Sequence, residues 1–196
     1  MPELEIEFKN LLNENEYSTL YHTFFENTEG HSLVNYYIDT PDLELRRNIL
    51  LLRVRLTSGK QVMTLKAPTI KGVLEFHAEV DYDLDNMKHI GEAEIPEVIA
   101  HEIEKRGIRV EDLRIYGRLA TERRETEYKG GLLVLDKCAY LDTTDYEIEY
   151  EVSDYDKGET IFNRLMAEHD IDRRDEVTKS ERFYRVLRKE KDDAKW

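Results

Sequence analysis

The 196-residue chain has a single cysteine, Cys138, so no disulfide can form within it. A reducing, cytoplasmic setting is expected on that ground. No apolar run approaches the roughly 18 residues needed to span a bilayer. Met1-Pro2-Glu3 leads straight into an acidic segment, which is not how a signal peptide begins. Positive charge is also scarce: 29 Lys and Arg stand against 43 Asp and Glu, a net charge of −14. Nonspecific nucleic-acid binding through the whole surface needs a basic face, and this balance excludes it. An anionic ligand remains open, provided its counter-charges are gathered locally or supplied by a cation. No internal repeat, low-complexity linker or composition break marks a second domain. A single domain over 1–188 with a frayed, charged tail over 189–196 is therefore expected.

What the chain does have is charge, at 37% of residues, beside a normal 40% of apolar residues. The charged share is well above the usual quarter. It points to a folded protein whose surface is unusually polar or whose interior is itself partly polar. Leu4, Ile6 and Phe8 alternate with Glu3, Glu5, Glu7 and Lys9, the period of a strand. Tyr17, Leu20, Tyr21, Phe24 and Phe25 then fall at helical spacing behind a candidate cap, Asn13. Strands are predicted over 33–39, 49–56, 61–66, 73–82, 119–128, 132–136 and 145–152. The two clearest hairpins turn at Ser58-Gly59 and Gly130-Gly131. Helices are predicted over 96–106, with Pro96 in the first turn and Gly107 past the end, and over 157–168. Residues 41–48 read as a turn or one short helical piece. Residues 179–188 fit either a strand end or a final helix. About eight antiparallel strands with helices between them indicate an α+β fold, its helices packed outside the sheet.

The informative pattern is which residues share a strand face. Glu5, Glu7 and Lys9 share one, Arg53 and Arg55 another, and Glu147, Glu149 and Glu151 a third; apolar residues take the opposite face each time. For any one of these strands, a sheet with its polar face in water explains the alternation. For the set, the segregation by sign argues otherwise. A solvated face mixes signs, whereas three like charges in a row repel and need a cation or basic neighbours. A barrel with its charged faces inward resolves this. Carboxylates would hold hard divalent cations, which prefer oxygen ligands, and Arg and Lys would hold phosphate oxygens.

Glu5-Ile6-Glu7-Phe8-Lys9 resembles the ExExK signature of the CYTH superfamily, the triphosphate tunnel metalloenzymes. That family includes thiamine triphosphatases, inorganic triphosphatases and class IV adenylate cyclases. The rest of its pattern follows in order: Tyr36-Tyr37-Ile38-Asp39-Thr40, Arg53-Val54-Arg55, Thr64-Leu65-Lys66, Thr121-Glu122-Arg123, Leu135-Asp136, the 147–151 run and Lys179-Ser180. The resemblance spans residue 5 to about 187. It implies an eight-stranded antiparallel β-barrel enclosing a tunnel, and hydrolysis of a small-molecule triphosphate with Mg²⁺ or Mn²⁺. It further implies that Glu5, Glu7, Asp136, Glu147, Glu149 and Glu151 supply the metal ligands. The register that selects 147 with 149, or 149 with 151, stays open. Lys9, Arg53, Arg55, Lys66, Arg123 and Lys179 would contact the triphosphate, with Glu7 and Lys9 closest to the chemistry. Arg124 points to the face opposite Arg123, so only one of them can line the tunnel; Arg118 is a third candidate.

Phosphoryl transfer to water would rest on charge stabilisation in a preorganised site. A cyclase forming cAMP from ATP and a non-catalytic binder of polyphosphate or nucleotide are the competing readings. The six histidines show no metal-binding spacing, and only His77, between Glu75 and Glu79, stands beside the charged strands. Cys138 reads as a small packed residue. No nucleic-acid or membrane partner is expected, and a monomer or homodimer is.

Overall fold

The computed structural model describes residues 6–69, 72–175 and 177–193. They form eight strands and five α-helices, antiparallel in every described pairing, which is the α+β class expected. The chain divides into two compact units.

The first unit comprises the described residues of 6–32 and 120–193. Its strand order is β1 (Ile6–Leu12), β8 (Thr143–Val152), β7 (Gly131–Tyr140) and β6 (Arg114–Tyr128). Strand β6 begins in the second unit and starts five residues before the predicted boundary. The β6–β7 turn places Lys129 and Gly130 at positive φ, 46° and 85°, as a tight two-residue hairpin demands. Helix α1 (Glu14–Leu20) is fixed by the predicted cap: Asn13 Oδ1 accepts from Glu16 N and Glu16 Oε2 accepts from Asn13 N, a reciprocal capping box. A π-helical turn over Tyr21–Phe25 extends it. Helix α4 (Tyr155–Glu168), capped by Asp154, packs Phe162, Leu165 and Met166 on Phe8, Leu133, Ile148 and Tyr150. Helix α5 (Lys179–Asp193) closes the described chain. This settles the strand-or-helix alternative for 179–188, and the helix carries on into the segment expected to fray.

The second unit spans 33–119, with β2 (Gly30–Asp39), β3 (Leu51–Thr57), β4 (Lys60–Thr69) and β5 (Gly72–Val80) in sequence order. Ser58 and Gly59, at φ 48° and 79°, make the β3–β4 turn. The apolar face of these strands, with Ile38, Leu52, Val54, Met63 and Leu65, packs on α2 (Glu44–Arg47), α3 (Glu97–Glu104) and the segments around them. Asp39 caps α2: its carboxylate accepts from Thr40 N, Leu45 N and Arg46 N. Burial raises the Asp39 carboxyl, and those three N–H donors work against the rise.

Candidate functional site

The site of the first unit starts from strand parity. On β8, Ile148 and Tyr150 face the helices, which turns Glu147, Glu149 and Glu151 the other way. That other face is not in water: Glu147 is 1% exposed and Glu149 4%. The solvated-face reading of this strand is thereby excluded. Pairing sets the neighbours. Glu7 lies opposite Glu151 and Lys9 opposite Glu149, while Asp136 of β7 lies opposite Glu147. Carboxylate oxygens of Glu7, Glu149 and Glu151 all fall within 4.8 Å of one another.

Burying carboxylates without partners would be costly, and the partners come from three places. Lys9, on β1, donates to Glu7 Oε1 at 2.5 Å. Arg123, on β6, forks onto Asp136 with Nε–Oδ1 2.8 Å and Nη2–Oδ2 2.7 Å, and its Nη2 also reaches Glu149 Oε2 at 2.8 Å. The remaining two cations come from α5. Lys179 Nζ lies 2.6 Å from Glu149 Oε1, 2.9 Å from Asp136 Oδ2 and 3.1 Å from Glu147 Oε2. One turn on, Arg182 donates to Asp145 Oδ2 at 2.8 Å, to Asp145 Oδ1 at 3.2 Å and to Glu147 Oε2 at 2.7 Å. Its Nη1 also holds the Val177 carbonyl at 2.6 Å. Burial by itself would raise the Glu149 carboxyl; Lys179 and Arg123 outweigh it and hold it at about 2. Burial works against the Lys179 ammonium, which the three carboxylates nonetheless push well above its usual range. Tyr140 donates to Asp145 Oδ2 at 2.6 Å.

What carries Lys179 to the carboxylates is the loop after α4. Asn10 is buried on the helix-facing side of β1, donates to the Asp172 carbonyl and accepts from Arg174 N. Arg173 donates to the Lys9 carbonyl at 2.9 Å. Arg174 grips Glu16 through both Nη atoms, at 2.7 and 2.8 Å. The loop is thus tied to β1 and α1 just before Thr178 accepts from Glu181 N and α5 begins.

The structure brings together Glu7, Lys9, Arg123, Asp136, Glu147, Glu149, Glu151 and Lys179 from the expected set. Within it, Glu149 and Glu151 join Glu7, whereas Asp136 and Glu147 lie among Arg and Lys partners. Glu5 lies outside the described residues. Arg124 points away: it donates to the Thr28 carbonyl and sits over the Tyr21 ring at 5.2 Å. Arg118 is an exposed residue of the second unit, 3.5 Å from Asp85. Reading the sequence missed Arg182, Asp145 and Asn10. Arg182 alone left a signal, since it stands three residues after Lys179 and so shares its face if the segment is a helix.

In the second unit, pairing puts Asn35 and Tyr37, Arg53 and Arg55, Thr64, Lys66, Glu75 and His77 on one face. Arg55 Nε donates to Asn35 Oδ1 at 3.1 Å. Lys66 Nζ meets Glu75 Oε1 at 2.6 Å. His77 lies between Thr64 Oγ1, 3.0 Å from Nδ1, and Glu75 Oε2, 3.3 Å from Nε2. Cys138 is buried in the first unit beside Thr121, and burial pushes its thiol up to about 12. It packs as a small buried residue, as expected from the sequence.

Among the described residues, no helix is long and apolar enough to cross a membrane. The CYTH domain family model matches residues 3–184. A Bacillus subtilis (strain 168) protein provisionally named triphosphatase YjbK is 34% identical over 189 residues, 95% of this chain and 97% of that one. The crystal structure of a provisionally named adenylate cyclase from Bacillus halodurans superposes with a TM-score of 0.76 at 27% identity, covering 93% of this chain and 98% of that one. HpAC1 from Hippeastrum, described as a candidate adenylyl cyclase with a dominant triphosphatase activity, gives a TM-score of 0.68 at 21% identity over 95% of this chain and 96% of that one. With the charged strands in the family's order and its model matched over nearly the whole length, this chain belongs to the CYTH domain family.

Proposed function

We propose that the protein is a divalent-metal-dependent triphosphatase, hydrolysing a phosphoanhydride bond of inorganic triphosphate or a related organic triphosphate. The observation that carries this is the crowding of carboxylates on the acidic face of the first unit, where Glu7, Asp136, Glu147, Glu149 and Glu151 lie with Lys9, Arg123, Lys179 and Arg182 among them. Three of the carboxylates already converge within 4.8 Å, and an all-oxygen set suits a hard ion such as Mg²⁺ or Mn²⁺. Glu7, Glu149 and Glu151 would hold it, and the family pattern adds Glu5 as a further ligand. Asp136 and Glu147 would complete the set once Lys179 turns to substrate, with Arg182 still holding Glu147. When bound, the ion supplies charge neutralisation on phosphate oxygens and a more acidic water.

The chain's own residues do the rest. Lys9, Arg123 and Lys179 bind phosphate oxygens beside the carboxylates, and Lys9, next to Glu7, orients the attacking water. Arg53, Arg55 and Lys66 present a second set of donors, which the family reading assigns to the same triphosphate inside a barrel-enclosed tunnel. Arg forks match phosphate geometry and spread charge off the transferring group. The protein acts on this reading as a single CYTH-type domain in the cytoplasm, as a monomer or homodimer, with no nucleic-acid or membrane partner.

The test is product analysis. Purified protein is incubated with triphosphate, ATP and thiamine triphosphate, with Mg²⁺ or Mn²⁺ and with EDTA, and phosphate, pyrophosphate and cAMP are followed. Metal-dependent phosphate release that Glu7→Gln abolishes is expected. Pyrophosphate with cAMP from ATP overturns the hydrolase in favour of a cyclase, and binding without turnover under every metal overturns both in favour of a binding module.

A further inference from the structure

A lysine ammonium set among three carboxylate oxygens at 2.6, 2.9 and 3.1 Å occupies a place in which a cation is wanted. Both oxygens of Glu149 are already taken, Oε1 by Lys179 and Oε2 by Arg123. Glu149 is at the same time one of the three carboxylates that converge with Glu7 and Glu151. A metal ion drawing on Glu149 therefore competes with cations that the chain itself supplies.

The two cations of α5 are not equivalent in this respect. Arg182 is held on four acceptors, including the Val177 carbonyl, and its carboxylates, Asp145 and Glu147, lie outside the converging three. It is a fixed anchor for the start of the helix. Lys179, by contrast, hangs on a flexible four-carbon stem with three rotatable donors, and its shortest contact is to the shared residue Glu149. A triphosphate offers such an ammonium an alternative set of anionic oxygens.

We propose that Lys179 is a tethered placeholder cation, held on Asp136, Glu147 and Glu149 and released from them when triphosphate draws the ammonium away and the divalent ion takes up Glu149. This rests on the metal-site reading above and adds a coupling to it: metal and triphosphate each strengthen the other's binding. Linkage requires that coupling to be reciprocal. Arg182 keeps Glu147 and Asp145 engaged throughout, so the helix start stays in place while the lysine swings.

The test measures Mn²⁺ binding by electron paramagnetic resonance, without turnover. In wild type, Mn²⁺ binding without triphosphate is expected to be weak and to tighten on the order of tenfold with non-hydrolysable imidotriphosphate, within the usual range of coupling between two ligands. Lys179→Gln is expected to bind Mn²⁺ about tenfold more tightly than wild type without the analogue and to lose most of the coupling. Lys137→Gln removes the same charge from an exposed side chain of β7 and is the control for general electrostatics. Unchanged or weaker Mn²⁺ binding in folded Lys179→Gln overturns the proposal, and so does an equal gain in Lys137→Gln. Hydrolysis of triphosphate alongside either result leaves the triphosphatase reading standing, whereas no Mn²⁺ binding by any form, with or without the analogue, overturns both. Should Lys179→Gln fail to fold, wild type suffices. The ammonium proton resonance of Lys179, slowed in exchange by its three acceptors, is expected to shift or vanish when Mg²⁺ and imidotriphosphate are added together; an unmoved resonance overturns the proposal.

Discussion

Strand β8 of the first unit and strand β3 of the second carry like charges at every second position, yet the two are neutralised differently. Glu147 and Glu149 of β8 are almost wholly buried, and cations reach them from β6 and α5. The arginines of β3 are half-buried; Arg55 donates to a neutral amide, that of Asn35, and the nearest lysine of the face, Lys66, has its carboxylate, Glu75, on the next strand. The Asn35 amide orients the Arg55 guanidinium through a neutral hydrogen bond, and Glu75 acts on both Lys66 and Arg53 of the same face. A fully buried carboxylate cannot go without a partner, because an uncompensated charge in a low-dielectric setting costs several kcal/mol. The acidic face must bring its own counter-ions, and those counter-ions have to be moved when a metal enters. On this view the first unit couples its chemistry to its stability, and the second keeps the two apart.

The largest expected effect tests the first half of that statement. Arg123→Met removes the fork on Asp136 and the contact to Glu149 while leaving both carboxylates buried. Breaking a buried pair by removing one partner costs about 3–5 kcal/mol, and urea unfolding is expected to report a loss of that order. Divalent metal is expected to restore part of it in the variant and to do less in wild type. A loss under about 1 kcal/mol, typical of exposed pairs, breaks the contrast between the units.

The counterpart in the second unit is Arg55→Ala. Removing one donor to a developing phosphate charge lowers kcat/KM by roughly 10²–10³-fold, while the hydrogen bond to Asn35 contributes only about 1 kcal/mol to stability. Steady-state kinetics on triphosphate beside an unfolding curve checks both numbers. A large stability loss with little kinetic effect reverses the assignment of the two faces.

Much of this arrangement was legible in the chain, because it follows from periods and local caps. The alternation over 145–152 set the acidic face, Asn13 with Glu16 set the start of α1, and Ser58-Gly59 set the β3–β4 turn. The relations across long stretches of sequence were not legible. Arg182 reaches Glu147 across 35 residues and Arg174 reaches Glu16 across 158, and neither pairing leaves a periodic trace. Strand β6 begins at Arg114 and not near Leu119; Gly117, between Arg114 and Arg118, masks a strand whose start belongs to another unit. The choice between strand and helix for 179–188 did have a local clue, Thr178 followed three residues later by Glu181, the pattern of a capping box. The π-helical turn at Tyr21–Phe25 keeps the apolar spacing of an ordinary helix and so could not be distinguished from one.

A smaller effect, on acidification, probes the loop that delivers α5. The two-armed contact from Arg174 holds the Glu16 carboxyl below its ordinary 4.5, against a rise from burial. Its folded-state pKa thus lies below its unfolded one, and the unfolded chain takes up the proton first as pH falls. The stability it contributes is full above about pH 4.5 and is lost as pH drops through the folded value. Unfolding of wild type and Glu16→Gln is expected to differ at neutral pH and to converge at acid pH. A difference that stays constant to low pH removes Glu16–Arg174 from the list of working contacts.

The smallest expected stability effect belongs to the second unit and sharpens the comparison most directly. Lys66 and Glu75 lie 2.6 Å apart, closer than most pairs of the acidic cluster, but each side chain retains 32% of its exposure. If distance governed the energetics, Lys66→Met would cost as much as Arg123→Met. Solvent screening and the entropy of a long side chain instead limit such pairs to less than about 1 kcal/mol. The expected outcome is an unfolding midpoint close to that of wild type, together with weaker use of triphosphate, since the ammonium is one of the donors assigned to it. A double-mutant cycle with Glu75→Gln isolates the pair. A coupling energy well above about 1 kcal/mol would place the Lys66 pair in the same class as the buried acidic cluster, and the division between a face that carries stability and a face that carries ligand would no longer hold.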